Sequence, residues 1–312
     1  MSNVIAAIIL ALLAYTMLNI GLVMQKKGAS DLPQVEHQSL TSNIKNFATN
    51  KIWMVGLILT SVQYLLYLLA LDYGSLSLVS AFTGWGIVVL VLFSFFYLKE
   101  PLSRVEAACI AVVAGGVVVL GLTSPNVGVK LDPSTVNQIL AQPVSIVFLA
   151  VIVAFCFCPV IFSWKRGFWH ADVILGACSG VANSIGAIFA NALVAFISVD
   201  NIGGTLGSAM GSGLFWLFLF LVLAGNMISM VYQQIAYQKG QANLILPLYT
   251  IVSTVVPVLS GIIMFQDWGL VNPGVAGLRA ACIVVITVGA AALAYFNSKY
   301  AQMRNTTAEL NG

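Results

Sequence analysis

Charge is what this chain has least of. Asp, Glu, Lys and Arg make up 7% of its 312 residues, against 60% hydrophobic, where an ordinary soluble domain carries about a quarter of its residues charged. A chain this poor in charge cannot cover itself in water, which excludes a soluble fold. Histidine is nearly missing: His37 and His170 both fall in loops, so no catalytic dyad lies in an apolar segment. The five cysteines, Cys109, Cys156, Cys158, Cys178 and Cys282, form no CxxC pair and have no histidine nearby. A zinc pattern is thereby excluded, and they read as small packing residues. No phosphate loop, nucleotide motif or basic nucleic-acid patch occurs. The sequence therefore calls for no cofactor and no nucleic acid, assigns no metal ligands, and lacks the paired acids or nucleophile set of an intramembrane enzyme.

What is present is apolar and long. Uncharged stretches fit helices within residues 4–25, 52–71, 75–98, 107–123, 144–164, 173–197, 213–237, 241–264 and 280–298. Each nears the roughly 20 residues that cross ~30 Å of hydrocarbon. Burying a charge there costs about 2.5–3.5 kcal/mol even on the lenient insertion scale, so this segregation reads as an all-α, polytopic membrane bundle of nine spans. Only three residues precede the first span, and Lys26 and Lys27 follow it, the pattern of a retained helix rather than a removed leader. If nine spans alternate, 11 of the 13 basic residues fall on one side, with Lys130 and Arg279 opposite. That bias predicts a plasma (cell inner) membrane protein with an external N-terminus and a cytoplasmic C-terminus.

The tetrapeptide AACI occurs twice, at 107–110 and 280–283, 173 positions apart. ALDYGSLSLVS at 70–80 aligns with AYQKGQANLIL at 236–246 at an offset of 166, and NIG at 19–21 with SIG at 184–186 at 165. Residues 1–312 are thus expected to form one membrane domain, with a first repeat over 4–123, a connecting span at 144–164 and a second repeat over 173–298. Five spans separate each helix from its partner, and an odd number inverts the second copy. An inverted 4+4 repeat predicts a site near the midplane and alternating access. The charges preceding AACI, Glu106 and Arg279, are expected at opposite membrane faces.

In the loops, Leu40, Ile44 and Phe47 make a short apolar stripe that suits an interfacial helix, a solvated linker being the alternative. DPSTVNQILAQP predicts a capped helix with Asp132 as N-cap and Pro133 at its first position, and SVDNIGGTLGSAMGSG predicts a flexible tether. Gly176, Gly180 and Ser184, like Ala107, Ala111 and Gly115, have the spacing of close-packing seams.

Chemistry at membrane depth must come from neutral groups. The candidate substrate-binding residues are Asn19 and Gln63 in the first two spans, Ser80, Thr83 and Trp85 in the third, and Asn183 in the sixth. Asn226 and Gln233 belong to the seventh, where Asn226, Met230, Gln233 and Tyr237 are expected on one face. Pro247, Tyr249, Thr250 and Ser253 belong to the eighth, where Pro247 and Pro257 each remove a backbone donor. A freed carbonyl is tolerated in a membrane where it lines a cavity; a kink healed by neighbouring hydroxyls is the alternative.

At ALDYGSLSLVSAF and LKEPLSRVEAACIAVVAGGVVVLG the chain resembles the drug/metabolite transporter superfamily. Within it, IGLVMQKKG and AYQKGQANLILPLYTIVSTVVPVLSGIIMFQDW resemble the NIPA-type magnesium transporters. The resemblance implies a carrier in the lipid bilayer that moves a small molecule or a divalent cation such as Mg2+, with the oligomeric state open and a homodimer allowed. An EamA-like metabolite or amine exporter, or a non-transporting accessory or sensor protein, are the other readings. Ser80 and Ala81 stand where the NIPA-type proteins usually have a threonine-proline step. The first span lacks the glutamate with which small multidrug-resistance relatives exchange protons.

Overall fold

A computed structural model describes residues 2–30, 40–97, 103–123, 131–167, 170–197, 201–239, 242–269 and 272–310. Every regular element among them is an α-helix: α1 (Ser2–Ser30), α2 (Leu40–Thr49), α3 (Lys51–Tyr73), α4 (Leu76–Ala81), α5 (Thr83–Tyr97), α6 (Arg104–Leu122), α7 (Pro133–Ala141), α8 (Pro143–Lys165), α9 (Ala171–Val194), α10 (Ile202–Met210), α11 (Gly213–Lys239), α12 (Ala242–Ile263) and α13 (Pro273–Leu310). Seven helices among the described residues are long and apolar enough to cross a membrane. They lie in α1, α3, α4 with α5, α8, α9, α11 and α13. The other two expected spans are occupied by α6 and by α12, whose described apolar stretch is the shorter Ile251–Ile263.

Helix boundaries follow local chemistry. Asn50 caps α3 by accepting from the Trp53 N–H at 3.0 Å, and its own amide donates to the Gly28 carbonyl at 3.1 Å, pinning the end of α1 to the start of α3. A Cβ on Gly28 would lie 2.7 Å from the Trp53 nitrogen, so only glycine allows this approach. At α6, Ser103 and Glu106 form a capping box: the Ser103 N–H donates to Glu106 Oε2 at 2.8 Å and the Glu106 N–H to Ser103 Oγ at 3.1 Å. Asp132 caps α7 as expected, accepting from the Thr135 N–H, with Pro133 in the first position. The interfacial stripe is helical, as α2, and its Phe47 ring stacks 5.1 Å from Trp53.

Two expectations fail for local reasons. The third span is not one helix, because Phe82 separates α4 from α5. There the N–H groups of Phe82 and Trp85 bond three residues back rather than four, and the Thr83 hydroxyl takes the Ser80 carbonyl at 2.7 Å. A side chain competing for a helix carbonyl tightens and bends the ladder. The stretch expected as a tether contains α10: Asn201 accepts from the Gly204 N–H, and Ala209 packs in a cluster with Phe215, Phe218 and Phe196.

Packing places α4 and α5 at the centre, with 76% of Leu76–Phe93 buried, while Pro143–Lys165 of α8 is only 17% buried. Val144, Val147, Val151 and Phe155 of α8 are exposed, at the spacing of one helix face, as lipid contact requires. Around the centre, α1 packs on α3 and α5, α9 on α11 and α12, α12 on α4 and α13, and α13 on α6. The seam of Gly176, Gly180 and Ser184 is buried against α12, where a Gly180 Cβ would lie 2.8 Å from Val252 Cβ. The second expected seam is not one within the chain: Ala107, Ala111 and Gly115 are exposed, and the neighbouring Gly116 packs instead, its Cβ position 2.8 Å from Ile286.

Candidate functional site

The polar groups at depth form a string across the bundle. At one end Trp85 Nε1 donates to Thr16 Oγ1 at 3.2 Å, tying α5 to α1. Beside it the Thr83 hydroxyl lies 3.0 Å from Tyr15 Oη and 2.7 Å from the Ser80 carbonyl, two acceptors sharing one proton. Asn19, one turn beyond Tyr15, donates to the Tyr15 carbonyl at 2.9 Å and lies flat on Gly86, where a Cβ would overlap its Nδ2. The Tyr15 ring meets Tyr67 edge-on at 6.3 Å, and Tyr67 stacks 5.9 Å from Tyr64. Tyr67 faces Ser80 and Tyr64 faces Asn226. Asn226 then accepts from Asn183 Nδ2 at 3.4 Å and donates to the Val222 carbonyl at 2.8 Å.

The string thus joins α1, α4, α5 and α3 to α11 and α9 without a charged side chain. Two of its buried atoms, Tyr64 Oη and Ser80 Oγ, make no well-formed hydrogen bond among the described residues, although Asn226 lies against the first and Tyr67 against the second. Such a group costs about 1–3 kcal/mol when left unsatisfied. Among the described residues no group of three or more His, Cys, Asp or Glu is placed to hold a metal ion. A cation here would meet amide and hydroxyl oxygens, aromatic faces and backbone carbonyls.

The other candidates are distributed unevenly. Gln63 is buried on α3, and no hydrogen bond among the described residues joins it to the string. Gln233 reaches only Ser229 on its own helix, at 3.4 Å. Met230, expected on the face shared by Asn226 and Gln233, is 59% exposed and turned outward; Tyr237 has no described side chain. Ser253 is buried on α12, Tyr249 is half-buried there, and the Ser184 hydroxyl bridges towards that helix at 3.5 Å from the Val252 carbonyl. Pro247 and Thr250 belong to α12, but their side chains lie outside the described residues. The carbonyl of Pro257 accepts from Ser260 Oγ at 2.8 Å; the carbonyl that Pro257 deprives of a backbone donor is that of Ser253, four residues back.

Sequence reasoning missed the tyrosines. Tyr15, Tyr64 and Tyr67 carry the middle of the string, and their signal was available: a tyrosine hydroxyl buried in an apolar helix requires a partner. It also missed a charged group at one end of the bundle. Arg279, expected at a membrane face, is 1% exposed inside α13, its guanidinium carbon 5.2 Å from the Trp268 ring centre. Asp267, just past α12, accepts from the Ser77 N–H of α4 at 3.0 Å. Burial pushes the Asp267 carboxyl above the ordinary aspartate range, while the Ser77 N–H and hydroxyl and the Arg279 charge pull it back.

Comparison with known proteins now bears on these groups. The family model described as Magnesium transporter NIPA matches residues 2–296. In Arabidopsis thaliana, the protein called probable magnesium transporter NIPA6 is 21% identical over 90% of this chain and 84% of its own length. Probable magnesium transporter NIPA3 is 22% identical over 86% and 72%. Probable magnesium transporter NIPA9 is 32% identical over 45% of this chain, and that match spans 37% of NIPA9. No solved structure matches. With a family model covering nearly its whole length and apolar helices enough for a multi-pass membrane protein, this chain belongs to the NIPA magnesium transporter family.

Proposed function

We propose that the chain is a Mg2+ carrier of the plasma membrane, with an external N-terminus and a cytoplasmic C-terminus, that works by alternating access between two inverted halves. The observation carrying the reading is the neutral polar string, which crosses from one half to the other and leaves the buried Tyr64 and Ser80 hydroxyls without a well-formed hydrogen bond. The substrate path is then lined by Asn19, Ser80, Thr83, Trp85, Asn183 and Asn226, to which the geometry adds Tyr15, Tyr64 and Tyr67. Gln63, Gln233, Tyr249 and Ser253 stand beside it.

Matched contacts support the inverted repeat over 4–123 and 173–298. A Cβ on Gly116 would meet Ile286 at 2.8 Å and the Cys282 carbonyl at 3.6 Å; a Cβ on Gly289 would meet Val113 at 2.9 Å and the Cys109 carbonyl at 3.9 Å. The copies of two contacting residues are themselves in contact, since 289 − 116, 286 − 113 and 282 − 109 all equal 173. Reciprocity of that kind is the mark of a two-fold axis. In a parallel pair with its axis along the helices, residue 116 would stand level with 289. The carbonyl of 282, seven residues or about 10 Å lower, would be out of reach; an antiparallel crossing brings it close. Gly21 and Gly186 repeat the theme, abutting Thr60 with the Gly56 carbonyl and Asn226 with the Val222 carbonyl.

Mg2+ sheds water reluctantly and usually keeps several waters where it binds. A site of amides and hydroxyls suits an ion recognised through those waters. The decisive experiment is uptake by the purified protein in liposomes containing a Mg2+ indicator: saturable, protein-dependent influx is expected, and its absence would overturn the reading. A second reading, an organic-amine exporter, is favoured by the three clustered tyrosine rings, whose faces attract cations. It predicts that primary and quaternary amines, rather than divalent cations, raise the melting temperature of the protein in detergent.

A further inference from the structure

At the end of the bundle assigned to the outside by the basic-residue bias, one carboxylate faces two sets of donors. Asp267 Oδ2 is committed to the Ser77 N–H at 3.0 Å. The second set is unsatisfied: Arg279 Nε and Nη1 and Trp268 Nε1 are all buried without a hydrogen-bond partner. These donors sit together, because the Arg279 guanidinium lies 5.2 Å from the Trp268 ring. A guanidinium 1% exposed with two of its three nitrogens lacking an acceptor is costly. Asp267 is the acid whose field it feels.

The backbone around Asp267 suits a part that exchanges positions. After α12 the chain turns through Gln266 at φ 53°, and the Asp267 N–H returns to the Gly261 carbonyl at 3.0 Å. Gly261 is the socket for the carboxylate: a Cβ there would overlap Asp267 Oδ2 and lie 2.9 Å from the Ser77 nitrogen. The segment so held, α4, is separated from α5 by the break at Phe82, so it can tilt without carrying the rest of its span.

We propose that Asp267 is a two-partner latch, holding α4 against α12 in this conformation and passing to the waiting N–H groups of Arg279 and Trp268 when α4 withdraws and this end of the bundle opens. Both states then keep the carboxylate satisfied, and the unpaired Arg279 Nε and Nη1 are the cost of the closed one. The latch rests on the carrier reading only for its transport consequence; its conformational consequence can be measured without any substrate.

Hydrogen exchange of the full-length protein in detergent, followed on peptides spanning 75–81 and combined with thermal melting, tests it. Asp267→Ala breaks the closed contact and is expected to speed exchange at Ser77 at least tenfold. Arg279→Gln removes the charged member of the alternative pair and leaves Trp268 Nε1, so exchange there should slow at least threefold and the melting temperature should rise. The double variant should exchange like Asp267→Ala alone, because without the carboxylate the guanidinium has nothing to compete for. If both residues were simply structural, both single variants would speed exchange and lower the melting temperature. That result, failure of Arg279→Gln to fold, or unchanged exchange in either single variant overturns the latch. Mg2+ influx lost in wild type would instead remove the carrier reading while leaving the exchange result standing.

Discussion

The seam between α6 and α13 and the polar string between α3 and α11 treat the proposed repeat in opposite ways. At the seam the residues match: Cys109 with Cys282, Val113 with Ile286 and Gly116 with Gly289 hold equivalent places. Along the string they do not. At the offsets of 165 and 166 that align the earlier helices, Tyr15 corresponds to Gly180, Asn19 to Ser184, Tyr64 to Met230 and Tyr67 to Gln233. Met230 is turned outward where Tyr64 turns its hydroxyl toward Asn226. Packing between two copies of a scaffold needs complementary shapes, which duplication supplies. Recognition of a guest needs different groups on its different sides, and those arise only where the copies diverge.

The seam should be the most sensitive to volume. Gly116→Leu and Gly289→Leu each drive a side chain into a helix already 2.8–2.9 Å from the added Cβ, and overpacking of that kind costs about 1–3 kcal/mol. Because both residues act on one interface, the pair should deviate from additivity; melting curves in detergent would show it. Equal tolerance of leucine at both glycines would break the comparison from the packing side.

In the string, changes should affect transport more than stability. Asn226→Ala removes the amide that joins Asn183, Tyr64 and the Val222 carbonyl. Loss of one such contact, about 1.4 kcal/mol, corresponds to roughly tenfold in binding, so influx at subsaturating Mg2+ should fall about tenfold with the fold retained. Tyr64→Phe sharpens the point. Deleting a buried hydroxyl that makes no well-formed hydrogen bond should change stability by no more than about 1 kcal/mol while weakening transport, and a larger fall in stability would mean that the hydroxyl is structural.

How far these regions could be read beforehand depends on which force shapes them. Lipid forbids charge, so the helical, membrane-spanning character of the chain was legible, seven of the expected spans being long and apolar enough among the described residues, and the Asp132–Pro133 cap of α7 was legible because a helix start is a local motif. The AACI echo pointed to helices that meet at matched positions. The break at Phe82 was hidden because it turns on the Thr83 hydroxyl choosing the Ser80 carbonyl, a competition that a strongly apolar segment conceals. Burial of Arg279 was hidden as well, since a lone charge before an apolar run reads as a membrane-face residue until Trp268 and Asp267 are placed around it. In the site, the amides were found by being polar at depth, whereas the tyrosines passed as apolar residues. Gln233 stands apart from the string: among the described residues its side chain bonds only within its own helix.

The smallest effect is expected outside both regions. Asp132 is exposed, and the Thr135 N–H with the Ser134 and Thr135 hydroxyls holds its carboxyl below the ordinary aspartate range. A lowered carboxyl keeps its charge, and the cap its strength, until the pH falls beneath that range, so α7 should keep its first turn at mildly acidic pH. Asp132→Ala should loosen hydrogen exchange at Thr135 and leave Mg2+ influx unchanged.

The most direct test of the central claim compares initial rates of Mg2+ influx into liposomes carrying equal amounts of folded wild type and Asn226→Ala. Saturable influx in the wild type, reduced about tenfold in the variant at subsaturating Mg2+, is the predicted result. Identical rates in the two proteins would contradict a substrate path along the polar string.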